Sequence, residues 1–308
     1  MKILAGKSYS ASLQPLDSRQ PGRTCPLVVT RQVAHYSELV ITNHGRCPSR
    51  TTGISVLILL TNDDGIHAPG LRALENELRK VAEVCVVAPA TEQSGVGHSI
   101  TFLRPLVAHE VFEGDRRRGW AVEGSPADSV KLGVFEFCPR RPDVVVSGIN
   151  GGLNAGINVL YSGTVAAAIE GAFFGLTSVA VSLEFDEHAQ FAKAAALARQ
   201  LIEQILAQKP PEPRLYNINI PTVALQRPSE VRIVPMGIHP YQEEFEKRVD
   251  PRGRDYYWMN GKLRNLPGDP VTDVVALSHG YITLTPLDYD LTRRDEMARM
   301  SQWRFETS

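Results

Sequence analysis

The sequence predicts an α/β fold: a mostly parallel sheet with helices on both faces, followed by a smaller C-terminal β-rich region. Three observations predict it. Between Ile54 and Gln208, short Val- and Ile-rich runs alternate with helix-length stretches, the pattern of βαβ units. Those runs are continuously apolar rather than alternating, so both strand faces expect cover. After Pro210 the strand-like runs are joined by long polar connections instead.

The elements follow in order. Residues 1–53 carry many Ser, Thr, Arg and Pro and few acids, and Leu39-Val40-Ile41-Thr42 is their one strand-like piece. This segment reads as a dispensable, disordered N-terminal extension: a tail or a start-site artefact rather than a transit peptide, which would need an amphipathic helix. A catalytic domain is expected over 54–210, and a region that completes the fold and mediates oligomerisation over 211–308. Strand Ile54–Leu60 leads to helix Ala68–Val81, with Pro69 suited to a first turn. Strand Val84–Ala88 precedes a loop, Pro89–Ser99. Residues Ile100–Phe112 read as strands running to a hairpin at Glu113–Gly119, whose Arg116-Arg117-Arg118 decorates an exposed tip. Ser125 as N-cap and Pro126 behind it start a helix through Phe137. Strand Asp143–Ser147, a Gly/Asn-rich loop over 148–163, helix Thr164–Gly175, strand Ser178–Leu183 and helix His188–Gln208 follow. Then come strands Tyr216–Ile220, Val231–Met236, Arg254–Met259 and Tyr281–Leu284. The cluster Tyr256-Tyr257-Trp258 reads equally as an interface anchor or as a hairpin packed on its own core.

Composition narrows the function. The 308 residues are 43% hydrophobic, enough for a well-buried core. With 33 Lys and Arg against 34 Asp and Glu, no bulk basic field exists to hold a nucleic-acid polymer or an anionic membrane. No apolar run reaches the ~20 residues of a membrane span, and the start Met1–Lys7 is too short for a secretory signal. A soluble, cytoplasmic protein is expected. None of the four cysteines forms a CxxC pair; Cys85 and Cys138 read as buried structural thiols.

The chemistry concentrates at strand ends. Thr61-Asn62-Asp63-Asp64-Gly65 follows directly on the first strand. In an open parallel sheet, ligands bind beyond the carboxyl ends of the strands. Two adjacent carboxylates there suit a hard divalent cation bound through oxygen. A hydroxyl or amide oxygen from neighbouring loops, such as Ser94 and Asn150, can complete the site and leave positions open for water and substrate. Ser162-Gly163-Thr164 opens a helix and offers unpaired N–H groups and a favourable dipole to a phosphate. Together these pieces describe metal-assisted phosphate ester hydrolysis. Alone, an Asp-Asp pair is more often a turn, a Ser-Gly-Thr more often a cap, and His98 more often a structural group than an accessory catalyst. No GxGxxG follows a strand, and neither GxxxxGK[ST] nor GxSxG is present, which removes dinucleotide-binding, P-loop and α/β-hydrolase readings.

Taken in order, the segments resemble the survival protein E (SurE) family of nucleotidases. The matching stretches are 58–65 (Ile58 to Gly65), Val87-Ala88-Pro89 with Gln93-Ser94-Gly95 and Gly97 to Thr101, Gly124 to Asp128, Val146 to Asn154 and Tyr161 to Gly171. Weaker similarity runs through Thr272-Asp273 and Gly280 to Leu287. Residues 1–53 have no counterpart in the family. The resemblance implies a Rossmann-like three-layer α/β/α domain and a metal-dependent phosphomonoesterase. Its substrates would be nucleoside 5′- and 3′-monophosphates, with some action on short polyphosphate. It implies one divalent ion per subunit (Mg²⁺, Mn²⁺ or Ca²⁺) on Asp63, Asp64, Ser94 and Asn150, and assembly as a homodimer or homotetramer. The alternatives are a phosphatase of another small metabolite and a non-catalytic metal- or nucleotide-binding module.

Overall fold

The computed structural model describes residues 56–238, 242–262 and 271–307; the extension 1–53 lies outside them. In chain order the elements are β1 (Leu57–Thr61), α1 (Pro69–Leu78), β2 (Glu83–Pro89), β3 (Ala108–Glu113), β4 (Arg116–Val122) and α2 (Pro126–Leu132). They continue with β5 (Val144–Gly151), α3 (Gly163–Phe173), β6 (Thr177–Leu183), α4 (Phe191–Gln208), β7 (Leu215–Ile220) and β8 (Val231–Ile233). The last are β9 (Gln242–Val249), β10 (Asp255–Lys262), α5 (Asp273–Ser278), β11 (Ile282–Leu287) and α6 (Arg294–Met300).

A nine-stranded sheet runs β3-β4-β2-β1-β5-β6-β7-β11-β8. Its six inner strands from β4 to β7 are parallel; β3 and β11 run against their inner neighbours. β1 and β6 are buried at every position, which explains their unbroken apolar runs. Helices α1 and α4 pack together on one face, and α2 and α3 on the other, giving three layers. The chain leaves β1 toward β2 on one side and later returns with β5 on the other, so the strand order reverses at β1. That reversal opens a crevice at the carboxyl ends of β1 and β5. No helix among the described residues is long and apolar enough to cross a membrane.

Three expectations change. Residues 100–107 carry no strand, and β3 begins only at Ala108; Pro105 cannot donate to a ladder. The hairpin tip shrinks to Gly114-Asp115 between β3 and β4. Arg118 does not decorate it. Its Nε donates to Glu75 Oε2 at 2.7 Å and its Nη1 to the Ile66 carbonyl at 2.7 Å, both within a buried environment. Position 118 faces inward because β4 pairs with β2 in the sheet interior. The thiols of Cys85 and Cys138 are half-buried rather than buried and lie against each other.

The C-terminal part supplies β7, β11 and β8 to the same sheet and a separate antiparallel pair, β9–β10. On β10, Tyr257, Trp258 and Met259 are exposed.

Candidate active site

The acid loop is shaped by its neighbours. Asn62 Nδ2 donates to the Gly65 carbonyl at 3.0 Å, closing a tight turn around the two aspartates. Gly65 sits at φ +98°, a conformation costly for other residues. Ile66 N–H then donates to the Pro89 carbonyl at 2.8 Å, and Gln93 N–H to the Asp63 carbonyl at 2.7 Å. The loop after β2 is thus bonded across the loop after β1.

Asp63 is almost fully buried. Its carboxylate accepts the hydroxyl and the backbone N–H of Thr164 at the start of α3. A Cβ on Gly163 would lie 2.8 Å from Asp63 Cβ, so only glycine lets the helix start this close. Burial pushes the Asp63 carboxyl up, against the lowering effect of Thr164. Asp64 is half-buried and accepts the Gly151 N–H at the end of β5. Its pKa is pushed up to about 6, by burial first and then by the charge of Asp63.

Three of the remaining predicted residues adjoin groups that touch this pair: Asn150 precedes Gly151, Ser94 follows Gln93 and Ser162 precedes Gly163, whereas His98 contacts Glu170 and Phe173 instead. Asn150 lies at the end of β5, its Nδ2 donating to the Gly152 carbonyl at 2.7 Å; its Oδ1 is a neutral oxygen donor. Ser94 is exposed on the loop after β2, next to Gln93, and its Oγ donates to Glu92 at 2.7 Å. Ser162 is the N-cap of α3, its Oγ accepting from Val165 N–H at 3.0 Å. Thr164 gives both its donors to Asp63, while the Gly163 N–H, at the first helical position, has no intrahelical acceptor and can serve an outside anion. His98 is 2.7 Å from Glu170 Oε2 and stacks on Phe173. Lys131 also pairs with Glu170. Burial would raise the Glu170 carboxyl, but the hydrogen bonds from His98 and Lys131 outweigh it and hold it below its ordinary value.

The donor set fits a hard cation. It consists of oxygens only: two carboxylates that repel each other, a hydroxyl and an amide. Among the described residues no cluster of three or more His, Cys, Asp or Glu side chains offers a softer site. Around it, Thr61 Oγ1, Asn62 Oδ1 and Ser147 Oγ are buried without hydrogen-bond partners. Such groups want a polar guest.

Asn154 escaped the sequence reading. Its N–H donates to Asn219 Oδ1 at 2.8 Å, its Nδ2 to Ser182 at 2.8 Å, and its carbonyl accepts from Asn217 and Asn219. This network fixes the loop after β5 to β6 and β7. The cue available was a polar residue at alternate positions of an otherwise apolar strand, Asn217 and Asn219.

Known proteins resemble this chain in sequence and in fold. The model of the Survival protein SurE family matches residues 58–243. A 5′-nucleotidase SurE from Rhodopirellula baltica is 57% identical over 247 residues, covering 80% of this chain and 98% of the relative. One from Caldanaerobacter subterraneus subsp. tengcongensis is 41% identical over 250 residues, covering 81% and 98%. The crystal structure of a SurE protein from Aquifex aeolicus superposes with a TM-score of 0.70 at 36% identity, covering 80% of this chain and 98% of that one.

Proposed function

The chain belongs to the SurE family, and from that premise we propose that Asp63, Asp64, Ser94 and Asn150 hold one divalent cation at the β1–β5 crevice. The protein is a metal-dependent 5′-nucleotidase that hydrolyses nucleoside monophosphates to nucleoside and phosphate. One observation carries the site assignment: Asp63 is clamped by Thr164 at the first turn of α3, so the acid pair and an anion-ready helix start form a single unit.

Bound there, the cation supplies Lewis acidity toward a phosphoryl oxygen. The chain's own groups do the rest. Asp63 and Asp64 hold the ion, and one of them orients the attacking water. Asn150 Nδ2 and the Gly163 N–H receive phosphoryl oxygens, and the hydroxyl of Ser162 adds a donor. Thr164 keeps Asp63 in place. His98 steadies the wall of the site through Glu170. The oxygen set suits Mg²⁺, Mn²⁺ or Ca²⁺. The same crevice serves 3′-monophosphates and short polyphosphate, since every assigned contact is to phosphate. Residues 211–308 provide the assembly surface of a homodimer or homotetramer through the exposed aromatic face of β10.

Phosphate release from AMP with and without Mn²⁺ tests the reading. Asp63→Asn is expected to fold and to lose metal-dependent turnover by orders of magnitude; near-normal turnover in that variant would overturn the assignment.

A further inference from the structure

Two thiols outside the crevice are packed together. Cys85 lies on β2, and Cys138 follows the π-helical turn Gly133–Phe137 at the end of α2. Their sulfurs lie against each other. Cys85 Sγ is also 3.8 Å from the Phe137 carbonyl oxygen, in the peptide that leads into Cys138. That peptide is held from both sides. Cys138 N–H donates to the Gly133 carbonyl at 3.0 Å, and Phe137 stacks on Trp120 with ring centroids 4.1 Å apart. Both cysteines pack on the apolar cluster of Leu59, Val87, Val122 and Val130, yet each keeps part of its surface open to solvent. Among the described residues, no third His, Cys, Asp or Glu joins the pair into a metal site. Only the difference between sulfur contact and an S–S bond of about 2.0 Å separates them from a bridge.

We infer that Cys85 and Cys138 form a reversible disulfide, closed by hydrogen peroxide and opened by dithiols, that staples the end of α2 to β2. The chemistry balances in two steps. The Cys85 sulfur attacks one peroxide oxygen: an S–O bond forms, the O–O bond breaks, and the leaving oxygen takes the thiol proton and departs as water. The Cys138 sulfur then attacks the oxidised Cys85 sulfur: an S–S bond forms, the S–O bond breaks, and hydroxide leaves with the Cys138 proton as a second water. Two thiols are oxidised and one peroxide is reduced. The hydrogen bond with Cys138 holds the Cys85 thiol below its ordinary range, against its burial and helped by the guanidinium groups of Arg117 and Arg79. The same contact, together with burial, pushes Cys138 up. Cys85 is therefore the attacking sulfur and Cys138 the resolving one. The bridge closes a loop of about 50 residues that holds Ser94, β3, β4 and α2, and so constrains the unfolded chain.

The test treats the unaltered full chain with hydrogen peroxide, alkylates the remaining thiols and maps the peptides by mass without reductant. The expected product is a linked Cys85–Cys138 peptide pair, lighter by two hydrogens, that dithiothreitol returns to free thiols. The melting temperature of the oxidised protein rises by about 5–15 °C, the scale of a disulfide over such a loop, and falls back on reduction. In Cys138→Ser that rise is absent, and dimedone traps a sulfenic acid at Cys85. In Cys85→Ser, dimedone labels Cys138 at least about tenfold more weakly. Both thiols still open to alkylation after oxidation, or linkage of either to Cys25 or Cys47, overturn the inference. A linked protein whose melting temperature does not rise refutes the staple. Equal dimedone labelling of the two variants refutes Cys85 as the attacking sulfur. Each readout is independent of nucleotide hydrolysis.

Discussion

Arg118 Nε lies 2.7 Å from Glu75 Oε2, with 2% and 4% of the two side chains exposed. The pair joins β4 to α1, and the second arm of Arg118 reaches the Ile66 carbonyl just beyond the acid loop. Glu75→Ala would leave a buried guanidinium without its counter-charge, at a cost of about 3–5 kcal/mol. Glu75→Leu combined with Arg118→Met removes both charges and is expected to recover most of that loss. Urea unfolding of the two variants checks this; equal instability of the single and double variants contradicts it.

Thr164 acts on the reaction through Asp63. Thr164→Val keeps the shape of the side chain and removes the hydroxyl donor. Loss of such an orienting bond typically weakens metal affinity or activity about 10–100-fold. The concentration of Mn²⁺ that half-activates AMP hydrolysis is expected to rise by that factor, with Thr164→Ser close to the parent. An unchanged Mn²⁺ requirement in Thr164→Val counts against the clamp.

Gly163→Ala isolates a purely steric effect. Gly163 opens α3 without positive φ, so alanine suits its backbone. The added methyl would nonetheless sit 2.8 Å from Asp63 Cβ and 3.1 Å from its carboxylate. Turnover is expected to fall at least about tenfold, while the melting temperature moves by only a few degrees, the scale of about 1 kcal/mol. Full activity in this variant would show that the helix start can withdraw from Asp63.

Glu170 links stability to pH. Its folded pKa lies below the ordinary value of 4.5 because His98 and Lys131 outweigh its burial. A carboxyl with a depressed folded pKa stabilises the fold above its unfolded pKa, and the gain is lost as pH falls through the folded value. Thermal melts between about pH 3 and 7 should therefore show an acid-side decline that is shallower in Glu170→Gln. Parallel profiles for the two proteins would contradict it.

Legibility in the sequence varied with the distance over which each residue is explained. β1 and the Asp63-Asp64 turn could be read because a strand buried on both faces is apolar without interruption and its end is marked by polar residues. The capping box of α2 is local as well: Ser125 and Asp128 bond reciprocally within four residues. The clamp on Asp63 could not be read, since Thr164 lies 101 positions away and resembles an ordinary helix-start residue. Arg118 was misread because three consecutive arginines resemble a solvated tip, and only the pairing of β4 with β2 turns one of them inward. β9 left no signal, since Gln242–Val249 is mostly polar and its described side chains are largely exposed. The six-residue α5 is too short to show a helical period.

Strand β1 holds the middle of the sheet, yet one of its two flanking partners is far away in the chain: Leu57 N–H bonds to the Asp143 carboxylate 86 residues later. At a synthesis rate of about 5–20 residues per second, that interval is roughly 4–17 s on the ribosome. During it, a run of five apolar residues waits with one edge unpaired. Assembly of the crevice is therefore timed by translation, and slow codons between the two strands would lengthen the period in which the nascent chain is open to aggregation.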